Sequence, residues 1–145
     1  MRIEISREHI ILIFNPNDYN KYVDKEIMLT YDEELKRYFY GSENIKLPLI
    51  IIEMFPKEDR IYGYITHKYI GEKGITRNPI SSFKIFAYAD EEETLEGLEE
   101  ICSQITKLYE EIDAKKLSKD IVELVNAWKK IRDELPTTPT EETPV

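Results

Sequence analysis

The sequence predicts an α+β fold, with an antiparallel sheet of about five strands over residues 1–89 and a C-terminal antiparallel helical hairpin over about 90–135. Two observations carry this prediction. The first segment contains short apolar runs, some alternating with polar residues, separated by turn-forming residues as in strands. The second segment spaces its apolar residues three and four apart, the period of amphipathic helices. Strands followed by helices are typical of the α+β class, so we expect the hairpin to pack on one sheet face.

The first strands are short. Residues 2–5 alternate isoleucine with charged residues, which predicts a half-buried strand. The apolar run at residues 9–14 predicts a strand buried on both faces, and the turn residues 15–18 end it. Residues 26–31 predict a further strand. Residues 32–40 fit either a short helix or the return arm of a hairpin.

The remaining strands follow the most apolar stretch of the chain, residues 47–55. Turn residues 56–59 then lead into residues 60–70, which predicts a hairpin. Residues 71–82 contain two glycines and an Asn-Pro pair, which predicts a loop. Residues 83–88 predict the last strand before the helices.

Two helices end the predicted domain. Asp90 and Glu93 match a capping box that begins the first helix, and Ser118 is the predicted N-cap of the second. The apolar stripes of one continuous helix would face opposite directions, so we expect a turn near residues 113–116. A straight, domain-swapped helix remains the alternative.

The formal net charge of −9 is concentrated in one segment. Residues 1–89 are neutral, residues 90–113 carry −9, residues 114–135 carry +2 and the last ten carry −2. A solvated helix face explains the acidic segment, and an acidic partner-binding face is the alternative. The charge argues against a DNA-coating protein, which needs excess cations to displace counterions.

Composition bounds the class of protein. We predict a single domain over residues 1–135 and a Pro/Thr-rich tail over residues 136–145. Cys102 is the one cysteine and there are two histidines, so we expect no disulfide, no metal site and no cofactor. A membrane span needs about 20 apolar residues, and every apolar run here is much shorter. We therefore predict a cytoplasmic protein without membrane contact. The 21 isoleucines and the Glu/Lys bias suit a thermophilic archaeon or its virus, although an AT-rich genome would leave the same signature.

Strand alternation predicts one candidate binding surface. If the last two predicted strands are neighbours, one face combines aromatic and basic side chains. The predicted binding residues are Tyr62, Tyr64, Lys68, Lys84, Phe86 and Tyr88. Such a face suits ordinary exposed strand residues, a protein interface, or a platform that stacks single-stranded bases.

The motifs favour a non-enzymatic protein, and we predict no catalytic residues. The sequence contains no nucleotide-binding loop, nucleophile elbow or zinc-protease motif. We expect a protein–protein interaction or assembly protein that binds a second copy or another protein. The first alternative is a single-stranded nucleic-acid-binding protein. The second is a small metal-dependent nuclease or hydrolase around Glu53, Asp59 and His67.

Overall fold

The computed structural model describes residues 1–22 and 25–136 and contains one antiparallel sheet of seven strands with two helices on it. The strands are β1 (Arg2–Ile5), β2 (Ile10–Phe14), β3 (Thr30–Asp32), β4 (Arg37–Gly41), β5 (Leu49–Pro56), β6 (Arg60–Gly71) and β7 (Gly74–Phe86). The helices are α1 (Glu91–Thr106) and α2 (Ala114–Ile131). The strand order is β3-β4-β1-β2-β5-β6-β7, so β3 and β7 are the edges. The α+β prediction is confirmed, with more strands than expected.

Strand pairing also includes a segment that is rich in turn-forming residues. The loop predicted over residues 71–82 is wrong, because β6 and β7 continue through it as one long hairpin. Gly71 pairs with Gly74, whose φ of 108° allows the tight reversal. The strand predicted over residues 26–31 is mostly wrong, since β3 begins at Thr30. Residues 32–40 form the return arm of a hairpin, one of the two predicted alternatives.

One sheet face carries the hydrophobic core, and both helices lie on that side. α1 packs on β7 and α2 packs on β2, while the two helices also pack on each other. The isoleucine side chains on this face are almost completely buried: Ile3, Ile5, Ile10, Ile50, Ile52, Ile61 and Ile65. Burial of this aliphatic surface is the main favourable contribution to folding. The other face, which neither α1 nor α2 covers, is called the outer face below.

The helix boundaries partly follow the predictions. The Asp90 carboxylate accepts a hydrogen bond from the Glu92 backbone N–H at 2.8 Å, so Asp90 is the N-cap of α1 as predicted. The predicted N-cap Ser118 is wrong. Asp113 caps α2 by accepting from the Lys115 backbone N–H at 2.9 Å, whereas Ser118 lies buried inside the helix. An anionic cap suits the positive end of the helix dipole, which favours the earlier start.

The predicted tail lies outside the described residues, except for Pro136. Within the described part of the chain, neither helix combines the length and the apolar character needed to cross a bilayer.

Candidate binding surface

The outer face brings together side chains from the last three strands. In the β5–β6 pair, Phe55 lies opposite Tyr62 and Glu53 opposite Tyr64. In the β6–β7 pair, Tyr62 lies opposite Lys84. Residues directly opposite in an antiparallel pair share a face, so these side chains form adjacent rows. Tyr64 and Phe86 remain 49% and 54% exposed there.

Four of the predicted binding residues lie together as expected: Tyr62, Tyr64, Lys84 and Phe86. A fifth, Lys68, lies on the same face about 13 Å farther along β6 than Tyr64. It pairs with Arg77 of β7, in the segment where the sequence predicted a loop. We call the aromatic and basic residues on the outward side of this hairpin the aromatic–basic strip, which consists of Arg60, Tyr62, Tyr64, Lys68, Arg77, Lys84 and Phe86.

Tyr88 does not belong to this strip, and its predicted placement is wrong. Strand β7 ends at Phe86, and Tyr88 lies in the following turn, where strand alternation no longer fixes its direction. Arg132 beyond α2 donates a hydrogen bond to the Tyr88 hydroxyl at 2.5 Å. The Lys129 ammonium lies 6.0 Å from the centre of the Tyr88 ring. Tyr88 therefore belongs to the helix side of the molecule.

Two aromatic residues of this face were missed by the sequence reasoning. The His9 ring stacks on Phe55, with centroids 4.8 Å apart and an interplanar angle of 9°. Phe55 in turn meets the edge of Tyr64 at 5.9 Å. Alternation alone places His9 with Ile11 on one face. The contact with Phe55 also needs β2 to pair with β5, which no local pattern reveals.

Burial controls the ionisation of His9. It lowers the pKa of His9, and the carboxylates of Glu53 and Glu4 only partly oppose this effect. The His9 Nε2 atom is buried without a hydrogen-bond partner among the described residues. The imidazole is therefore neutral at pH 7 and extends the aromatic surface beside the strip.

The strip carries unbalanced positive charge. Within residues 1–22 and 25–136, Lys68, Arg77 and Lys84 make no ion pair. The Lys84 ammonium lies 5.3 Å from the centre of the Phe86 ring. Arg60 differs because it pairs with Asp59 at 3.1 Å. Lys68, Arg77 and Lys84 are therefore available to bind an external anion.

The charges on the far half of the outer face are balanced instead. Arg2 lies 3.3 Å from Glu4 and 3.4 Å from Glu43, and Arg37 pairs with the same two carboxylates. Glu53 adds one negative charge near Tyr64. The positive charge of this face is thus concentrated toward the β7 edge.

The alternative catalytic cluster is not assembled. Glu53 lies on the outer face, whereas His67 lies on the helix side, where its Nε2 atom hydrogen-bonds the Tyr109 hydroxyl at 2.7 Å. Asp59 lies in the turn between β5 and β6 and pairs with Arg60. Among the described residues, no three side chains are grouped as metal ligands.

Cys102 is completely buried in the core. Burial raises its pKa to about 11, so it is a neutral thiol at physiological pH. Its side chain is therefore part of the hydrophobic core.

A cavity of about 400 Å³ lies between α2, β1 and the segment after β2. Its lining includes Met1, Ile3, Tyr19, Leu29, Asp120 and Leu124. The Asp120 carboxylate at its polar end accepts a hydrogen bond from the Tyr19 hydroxyl and lies 3.6 Å from the Lys116 ammonium. These internal contacts already occupy the carboxylate, so we place the candidate site on the outer face.

The fold and this surface define the class as an α+β domain with an open-faced antiparallel sheet. Comparison with protein-family models, curated proteins and solved structures finds no match to this chain.

Proposed function

We propose that the protein is a non-enzymatic interaction protein that binds a protein partner through the aromatic–basic strip. One observation carries this proposal. The helices cover one sheet face and leave Tyr64 and Phe86 about half exposed on the other. Large aromatic side chains supply much of the contact energy in protein interfaces, and they lose little conformational entropy on binding.

The arrangement of the strip supports this use. Three aromatic side chains, Tyr62, Tyr64 and Phe86, lie together with Lys84. Arg60 flanks them at one end of the strip, and Lys68 and Arg77 lie farther along at the other end. An apolar centre with a polar rim is the usual anatomy of a protein interface. Arginine and tyrosine are also enriched at the positions that dominate binding.

Site-specific photo-crosslinking tests the proposal. A photo-reactive residue replaces Tyr64, and a control chain carries it at Leu35, whose side chain is similarly exposed in the β3–β4 turn. Each chain is irradiated alone and in an extract of the source cells. We expect protein adducts from position 64, fewer after Phe86→Ala, and none from position 35. Equal labelling from both positions, or no adduct from position 64, would contradict the proposal.

Single-stranded nucleic acid is the second candidate partner. Its support is the placement of Lys84 beside Tyr62, with further unpaired cations on the same face, since such binders combine stacking rings with phosphate contacts. Fluorescence anisotropy of a labelled oligothymidine at 50 mM salt tests it. Binding that is lost in the Tyr62→Ala/Tyr64→Ala variant would favour this candidate, and no binding at low salt would exclude it.

A further inference from the structure

We propose that the partner of the strip is a second copy of this chain, whose acidic α1 helix docks on the outer face of β6 and β7. This inference rests on the proposed function and names its partner. α1 packs on the helix side of the edge strand β7, while the strip lies on the opposite side of the same edge. Two surfaces of opposite charge therefore flank one sheet edge.

The exposed face of α1 carries a row of like charges. Glu92, Glu96 and Glu100 are exposed and follow one another at intervals of four residues. Carboxylates at this spacing repel each other along a helix. Glu92 lies in the first turn, where the helix dipole stabilises an anion, but this effect does not reach Glu96 or Glu100. Among the described residues, none of the three makes an ion pair.

Gly97 lies within this acidic face. A Cβ atom added there would have no neighbour within 4 Å among the described residues, so no packing contact within residues 1–22 and 25–136 requires a glycine. A glycine in the middle of a helix weakens the helix, so the chain gains nothing from it as a monomer. It does leave the helix backbone open to close approach by an aromatic ring, such as Tyr64 or Phe86 of another copy.

The two surfaces also match in length and charge. The strip extends about 20 Å along β6 between the Tyr62–Lys84 pair and the Lys68–Arg77 pair. α1 has 16 residues, which corresponds to a length of about 24 Å. A helix laid along the strip would place its carboxylates beside the three cations that lack partners within the described chain.

The contact joins copies head to tail. The strip and the exposed face of α1 lie on opposite sides of the sheet, so a copy whose α1 is docked on a neighbour still offers its own strip to a third copy. Such a heterologous contact builds a ring where the rotation closes and a filament where it does not. We therefore expect oligomers that grow with concentration.

A charge-swap experiment tests this head-to-tail contact. The strip variant is Arg77→Glu/Lys84→Glu and the helix variant is Glu96→Lys/Glu100→Lys, all at exposed positions. Light scattering gives the molar mass from 1 to 100 μM at 50 and 500 mM NaCl, and circular dichroism checks the fold. We expect a wild-type molar mass above that of the monomer, rising with concentration and falling at high salt. Each variant alone should self-associate at least about 100-fold more weakly, because like charges then face each other in the contact.

Mixing the two variants provides the decisive arm. In the mixture, an acidic strip meets a basic helix and a basic strip meets an acidic helix, so the contact is restored and mixed oligomers form. Matched charge reversals elsewhere, Lys119→Glu/Lys130→Glu and Glu33→Lys/Glu34→Lys, should leave self-association unchanged.

Three results would overturn the inference: a wild-type monomer at every concentration, self-association insensitive to both variants, or oligonucleotide binding by the strip of a monomeric chain. A wild-type monomer that still crosslinks to another protein through position 64 would remove the second copy as partner and leave the proposed function standing. If position 64 also gives no protein adduct, the result contradicts both the second copy as partner and the proposed function.

Discussion

Replacing Gly97 with alanine should stabilise the monomer while weakening self-association. The new methyl group meets no atom within 4 Å, so it introduces no clash. Alanine is favoured over glycine in a helix interior by about 1 kcal/mol, which corresponds to a rise of about 3 °C in Tm for a domain of this size. Urea unfolding in the Arg77→Glu/Lys84→Glu background measures this gain without interference from self-association. In the wild-type background, the same methyl group should raise the concentration at which light scattering detects oligomers.

Gly74→Ala is the matched control. A Cβ atom there also has no neighbour within 4 Å, but the φ of Gly74 is +108°. Alanine should therefore destabilise the chain by about 1–2 kcal/mol through backbone strain alone. Loss of stability in Gly97→Ala would refute the reasoning, because it would require a contact within the monomer. Unchanged self-association would show that α1 does not approach its partner at Gly97.

Three further predictions concern the scaffold. Gly63→Ala should lower the free energy of unfolding by about 1–3 kcal/mol, because the new Cβ atom would lie 2.2 Å from the Phe83 ring, and Phe83→Leu should recover part of the loss in urea unfolding. Asp113→Ala should cost about 1 kcal/mol by removing the N-cap of α2, whereas Ser118→Ala should cost less; equal losses would contradict the assigned cap. Because burial lowers the pKa of His9, the folded state binds fewer protons than the unfolded state, so its contribution to stability is complete above about pH 6.5 and declines as the pH falls. His9→Phe should flatten this pH dependence between pH 7.5 and 5 in urea titrations, and an unchanged slope would argue against it.

The long hairpin shows where local sequence signals mislead. Two glycines and Pro79 predict a loop, yet Pro79 lies within β7. β7 is an edge strand with a register shift beside this position, and an edge tolerates a residue without a backbone N–H. The strand order that makes β7 an edge arises from contacts distant in sequence, so no local pattern reports it.

The start of α2 and the binding surface also separate what local sequence predicts from what depends on contacts distant in sequence. Asp113 and Ser118 are both suitable caps by residue type, and the reversal of the chain after α1 selects the earlier one. Tyr62 and Lys84 could be placed on one face because alternation holds inside regular strands. The position of Tyr88 could not be predicted by alternation, because strand β7 ends at Phe86.

The mixture of the strip and helix variants tests the head-to-tail contact most directly. If α1 of one copy docks on β6 and β7 of another, each variant alone is monomeric at 50 mM NaCl and the equimolar mixture forms oligomers. If the wild-type chain self-associates while the mixture stays monomeric, complementary charge between α1 and the strip does not hold the copies together.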